Sequence, residues 1–187
     1  MPANIICTWS LNTPTIIANE ERGTPSLDKR LEAARRIAEK GGVVGFHFHP
    51  MIHNDRWREE YGALFSTIQS MFDPEQVAMV SLGTLTFIKP VIRRIRESGI
   101  KSQILKLPLV ETEGKLSYPD EIKLELFRHC YDSFGEAWKE SVFFYLCMEH
   151  QRFWMPVFGY EYESNDQFEA AMKSLYFSKI DRAGGRR

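Results

Sequence analysis

Val43-Val44-Gly45-Phe46-His47-Phe48-His49-Pro50 is an apolar run that stops abruptly in two histidines and a proline. Gly41-Gly42 closes a helical pattern just before it, and a polar loop and another helical pattern follow. A short apolar strand between helices is how a buried parallel sheet reads, with its chemistry gathered at the C-terminal strand ends. The run therefore indicates both a fold class, α/β, and the place to look for a site.

The same rhythm extends in both directions. Upstream, residues 4–11 read as a strand and 12–23 as a polar stretch. Thr24-Pro25 supplies a cap-like Thr and a Pro suited to a first helical turn. Leu27, Leu31, Ala34, Ile37 and Ala38 then recur at helical spacing, which predicts an amphipathic helix over 26–40. Downstream, the spacing predicts a helix over 57–71, a break at Asp73-Pro74 and a buried strand over 77–82, with Gly83-Thr84 just beyond. A helix over 90–97, a shorter strand over 103–107 and a polar loop over 111–118 follow, with a turn at Glu113-Gly114-Lys115. A long helix over 121–138, an aromatic strand over 141–147 and a short helix over 151–158 complete the pattern. Right-handed crossovers would bring Ser10, His49 and Ser81 to one face. One domain is expected over 1–177, with a flexible tail over 178–187.

Composition narrows the function classes. The 187 residues suffice for one domain with a sizeable core, and 43% hydrophobic content is ordinary for a folded chain. A formal net charge of −1 excludes a global polycation but leaves room for a local basic groove. No apolar run approaches the roughly 20 residues of a membrane span, and no signal peptide is legible, so a cytoplasmic protein is expected. Cys7, Cys130 and Cys147 are isolated, which argues against a disulfide framework or zinc ribbon and favours buried, inert thiols.

Three segments, in order and spacing, carry a family likeness. Ser10-Leu11-Asn12, then Glu20-Glu21-Arg22-Gly23-Thr24-Pro25-Ser26-Leu27-Asp28-Lys29-Arg30-Leu31-Glu32-Ala33-Ala34, then Gly45-Phe46-His47-Phe48-His49-Pro50-Met51-Ile52 resemble the carboxy-terminal half of the spore photoproduct lyase family. That family is a DNA-repair branch of the radical S-adenosylmethionine enzymes. The resemblance runs over about residues 5–110. Beyond Leu107, Tyr145-Leu146-Cys147-Met148-Glu149 with Trp154 and Phe158-Gly159 looks like the broader group.

The resemblance implies a partial (β/α) barrel with parallel strands, of which this chain would be the C-terminal half. The other half in the family carries C-x-x-x-C-x-x-C, whose thiolates bind a [4Fe–4S] cluster. The cluster holds S-adenosylmethionine and cleaves it to a 5′-deoxyadenosyl radical, which in spore photoproduct lyase starts the reversal of a thymine cross-link in DNA. This chain has no C-x-x-x-C-x-x-C. It is expected either as part of a longer radical enzyme, completed by the missing N-terminal half or by self-association, or as a truncated descendant without radical chemistry. The resemblance further implies that Ser10, Asn12, His49 and Pro50 approach S-adenosylmethionine. A Ser hydroxyl and an Asn amide would meet ribose hydroxyls or the methionyl carboxylate. The backbone beside Pro50, held extended, would offer a carbonyl to the adenine amino group. His49 stands where the spore enzyme has a smaller residue. Ordinary strand-end capping is the competing reading for Ser10 and Asn12.

Other constellations are weaker. His47 and His49 lie two apart on a strand, so both imidazoles share a side and resemble the first ligands of barrel metal hydrolases. Later strand ends offer no further His or Asp, so no metal is assigned and hydrogen-bonded histidines are expected. Arg93, Arg94, Arg96 and Lys101 could meet phosphates of a nucleic acid, against the blander reading of a solvated face balanced by Glu97. Phe143, Phe144, Tyr145, Phe153, Trp154 and Phe158 suit a core or a buried seam. A non-catalytic half-barrel that binds a nucleoside or a protein partner is the alternative function.

Overall fold

A computed structural model describes residues 4–112 and 114–185. Four strands, β1 (Ile6–Ser10), β2 (Val43–Met51), β3 (Val77–Thr84) and β7 (Phe143–Leu146), form one sheet in the order β1-β2-β3-β7, and each neighbouring pair is parallel. Between β1 and β2 lie α1 (Pro14–Glu20) and α2 (Leu27–Glu39), and α3 (Trp57–Met71) connects β2 to β3. Gly41 ends α2 at a positive φ of 74° that side chains disfavour, and its N–H caps the Ala38 carbonyl.

Alternation along the strands sorts side chains into two cores. Val44, Phe46 and Phe48 join Val77, Val80, Leu82, Phe144 and Leu146 in the larger core, beneath α2 and α3. Val43, Ala78, Met79 and Phe143 form a smaller core on the opposite face. Ala78 is the extra residue of a bulge between the Val44–Val77 and Gly45–Met79 pairs.

The smaller core is closed by α8 (Asn165–Gly185), which lays Phe168, Ala171, Met172, Leu175 and Tyr176 against it. At the far end of α8, buried Lys179 donates to the Pro74 carbonyl at 2.6 Å and Arg182 pairs with Glu75 at 2.5 Å. Residues 178–185, expected as a flexible tail, are thus the docked last turns of a helix; Arg186 and Arg187 lie outside the described residues.

Between β3 and β7 the chain departs from the simple rhythm. β4 (Thr86–Ile88), β5 (Val110–Thr112) and β6 (Lys115–Ser117) form a small antiparallel sheet in the order β4-β6-β5, and α4 (Lys89–Glu97) lies beside it. The loop expected over 111–118 is therefore mostly hairpin; of its expected turn, Glu113 lies outside the described residues. The strand expected over 103–107 is a short 3-10 turn, Ile104–Lys106. The Glu20 carboxylate takes the Gln103 N–H and the Ser102 hydroxyl, each at 2.7 Å, so this backbone has its partner without a neighbouring strand. The single helix expected over 121–138 is two, α5 (Asp120–Ser133) and α6 (Glu136–Ser141), broken at Phe134-Gly135. Within 12–23, read as merely polar, Thr13 caps α1 and Pro14 opens it, burying Ile16 and Ile17. Thr24 does not cap α2; that place belongs to Ser26.

Candidate functional site

In-register pairing aligns Ser10, His47, Ser81 and Tyr145 in one row across β1, β2, β3 and β7. His47 Nδ1 lies 2.7 Å from the hydroxyl oxygen of fully buried Ser81. Burial, then the nearby His49, hold the His47 pKa below 6.5. One step further on, His49 lies over Gly83, where a Cβ would stand 2.6 Å from His49 Cδ2 and 3.0 Å from the Cys147 carbonyl. The His49–Pro50 peptide is cis.

Asn12 is buried and its amide is largely committed. Its oxygen accepts from the Thr13 N–H at 3.0 Å and the Tyr61 hydroxyl at 2.7 Å, and its NH2 donates to the Pro50 carbonyl at 3.0 Å. Tyr61 also accepts the Ile52 N–H, and Tyr118 accepts the His53 N–H at 3.0 Å, so two phenols hold the chain after Pro50. Burial pushes the Tyr61 pKa far up and that of Tyr118 to about 12, and both stay protonated.

Arg30 organises the segment beside the site, a role that sequence reasoning passed over. Its buried guanidinium donates to the Pro25 and Ser10 carbonyls at 2.9 and 3.0 Å, and to Glu21 and Thr24 side chains at 2.7 and 2.6 Å. One planar fork thus ties the Glu20-to-Ser26 segment to the end of β1. Its position on an otherwise apolar helix face was the available signal. A second missed group lies beyond β3: the Thr84 N–H and hydroxyl both donate to Glu149, at 2.8 and 2.6 Å. Lys123 from α5 completes it at 2.7 Å, in a nearly buried ion pair.

A cleft of about 730 Å³ opens at these strand ends. Asn12, His49, Pro50 and Thr84 line its sheet side, and Phe87 and Val91 come from β4 and α4. Ser10 ends β1 exposed, beside His47. Arg93, Arg94 and Arg96 are exposed on α4, with Arg93 paired to Glu97 at 2.7 Å. Among the described residues no three His, Cys, Asp or Glu side chains converge on one point, so His47 and His49 have no third ligand. Of the thiols, only Cys130 is buried, and burial raises its pKa; Cys7 and Cys147 are half-buried.

Parallel strands ending at a ligand-sized cleft define an α/β protein of the class that holds its ligands at strand ends. The chain belongs to the spore photoproduct lyase family, whose profile matches residues 4–119. Spore photoproduct lyase of Geobacillus sp. (strain Y412MC61) is 33% identical over 117 residues, covering 59% of this chain and 32% of that protein. That of Bacillus subtilis (strain 168) is 33% identical over 98 residues, covering 51% and 29%. This chain therefore spans about a third of the length of those relatives. A solved spore photoproduct lyase complexed with dinucleoside spore photoproduct superposes with a TM-score of 0.65 at 25% identity, over 76% of this chain and 44% of that one. A variant with bound AdoMet and dinucleoside spore photoproduct shares the fold, with a TM-score of 0.63 at 24% identity. Among the described residues no helix is long and apolar enough to cross a membrane.

Proposed function

We propose that this chain forms the strand-end, ligand-contacting part of a DNA-repair protein resembling spore photoproduct lyase. Its four parallel strands are read as the latter staves of a partial (β/α) barrel, and its cleft as the place for S-adenosylmethionine. The cleft carries the proposal: its volume suits a nucleoside-sized ligand, and Asn12, His49 and Pro50 all line it. His49 offers a ring nitrogen to the ligand. Asn12 acts indirectly, because its amide already holds the Pro50 carbonyl in place. Exposed arginines on α4, beside the cleft, suit phosphates of a nucleic-acid substrate.

The two cofactors fit unequally. S-adenosylmethionine, when bound beside a reduced cluster, supplies radical chemistry. The cluster does not fit the residues of this chain, since Cys7, Cys130 and Cys147 belong to separate elements and no three ligating side chains converge among the described residues. Iron–sulfur chemistry would have to come from another polypeptide segment. Among the described residues β1 pairs with β2 alone, and its other edge suits a further strand.

The experiment is calorimetric titration of the chain with S-adenosylmethionine, together with iron and sulfide quantification after anaerobic reconstitution. Micromolar-to-millimolar binding that weakens about tenfold in His49→Ala, with no stoichiometric iron, is expected. Absence of binding heat in the wild type at millimolar ligand overturns the cofactor assignment.

A second reading is favoured by α8. Because this helix covers the sheet face opposite α2 and α3, the chain has both faces protected and suits a non-catalytic nucleoside- or partner-binding module. Binding of adenosine as tight as that of S-adenosylmethionine would favour this reading, since the methionyl group would then contribute nothing.

A further inference from the structure

Ile88, Val91 and Met148 are large apolar side chains that line the strand-end cleft yet stand 51, 37 and 84% exposed. Met148 is the extreme case among the described residues, and it is also the one non-glycine residue among them with a positive φ, 58°. An exposed apolar side chain is ordinary by itself, and so is a left-handed turn. Both at one residue are not, because glycine at the same place would remove each cost.

The backbone on either side holds the turn. The Cys147 N–H donates to the Leu82 carbonyl at 2.7 Å, which carries the β3–β7 pairing one residue past Leu146. Glu149 is fixed by the Thr84 N–H and hydroxyl, at 2.8 and 2.6 Å, and by Lys123 at 2.7 Å. Met148 therefore turns between two anchored neighbours, and its side chain is held out at the lip of the cleft instead of joining either core. The Cys147 carbonyl and the His49 ring flank the same Gly83, so this lip stands next to the sheet side of the cleft.

The cleft thus has two kinds of wall. His49, Glu21 and Lys115 bring polar side chains to it, and Ile88, Val91 and Met148 bring apolar surface. A planar ring with polar edges and apolar faces matches such walls, and a thioether packs well on an aromatic face. We propose that Met148 is a ligand-contacting lip, whose strained turn presents its thioether to the face of a nucleobase entering the cleft. The base belongs either to a free nucleoside or to a nucleic-acid strand, and the contact is the same, since every base has such a face.

The contact rests on the proposed reading of the cleft as a ligand site, whereas the strained turn belongs to the free protein. The test is to label the methionine methyl groups of the full chain with 13C and titrate it with adenosine and, separately, with a short single-stranded oligothymidylate. The Met148 methyl resonance, identified by its loss in Met148→Leu, should move upfield under the ring current of whichever probe binds. Met148→Ala should weaken that probe at least about fivefold, and Met148→Leu, which keeps the apolar bulk, by less than about twofold. A shift with adenosine alone supports the contact with a nucleoside as its source, and a shift with the oligonucleotide alone supports it with a strand. Without ligand, Met148→Gly should melt about 2–4 °C above Met148→Ala, since both lose the side chain and only glycine relieves the turn. Equal melting of these two variants overturns the strained turn. Wild-type affinity in Met148→Ala, or binding that leaves the methyl resonance in place, overturns the contact while the cleft remains a ligand site. If the wild type binds neither probe, the ligand reading of the cleft and this contact both fail.

Discussion

Arg30 illustrates how one side chain can organise a motif that looks like loose punctuation in the sequence. Its four bonds draw the end of β1, Glu21, Thr24 and Pro25 together, so Arg30→Met would leave a buried carbonyl and a carboxylate without their cation. The expected loss is about 3–5 kcal/mol in urea unfolding, and Arg30→Lys should recover little, because one ammonium cannot reach all four acceptors. Histidines set a pH dependence at the same scale. Burial is the leading cause that holds His47 and His129 below 6.5, and the His129 Nε2–H donates to the Arg58 carbonyl at 2.8 Å. Between that value and the lower folded pKa only the unfolded chain binds the proton, so stability should fall as the pH drops below about 6.5. The fall should level off once the folded rings also titrate. Urea midpoints at successive pH values test this, and a His47→Gln, His129→Gln double variant should flatten the curve.

Among elements, β3 is the most tightly constrained, since every one of its residues is buried. Two glycines at strand contacts predict unequal costs. A Cβ at Gly45 would meet the flexible Met79 side chain, at 2.5 Å from Sδ, which can turn aside. A Cβ at Gly83 would meet both the His49 ring and the Cys147 carbonyl, which is backbone. Gly83→Ala should therefore destabilise by about 1–3 kcal/mol and weaken cleft binding, whereas Gly45→Ala should cost less and spare the cleft. Equal melting and binding for the two variants would contradict this account. The end of β3 also depends on α5 through Glu149. Lys123→Met would leave that carboxylate buried without its cation, at an expected cost of about 3–5 kcal/mol in thermal or urea unfolding.

For the whole molecule, the second cover on the sheet matters most. The smaller core of Val43, Ala78, Met79 and Phe143 is buried because α8 lies on it. Deleting residues 165–187 should expose this face, raise binding of a hydrophobic dye and promote association. A truncated chain that stays monomeric and melts like the full one would show that α8 contributes little. Completion of a barrel by another segment would have to accommodate α8 on that face, which makes the helix a natural discriminator between the two proposed functions.

The sequence by itself determined the parallel α/β class, the positions of β2, α3 and β3, and the family, because buried strands and amphipathic helices write their periodicity directly into neighbouring residues. Asn12 was singled out through the order of the family motifs and lines the cleft, whereas Ser10, singled out with it, does not. The commitment of Asn12 to Tyr61 and Pro50 was not legible, since its partners lie 49 and 38 residues away. The small sheet escaped notice because strands of three residues offer too few alternations to set a period. Only the tertiary structure decided that Arg30 closes the end of β1, that His47, Ser81 and Tyr145 share one row, and that α8 covers the second face. Each of these depends on contacts between distant segments, and local periodicity carries no record of which segments meet.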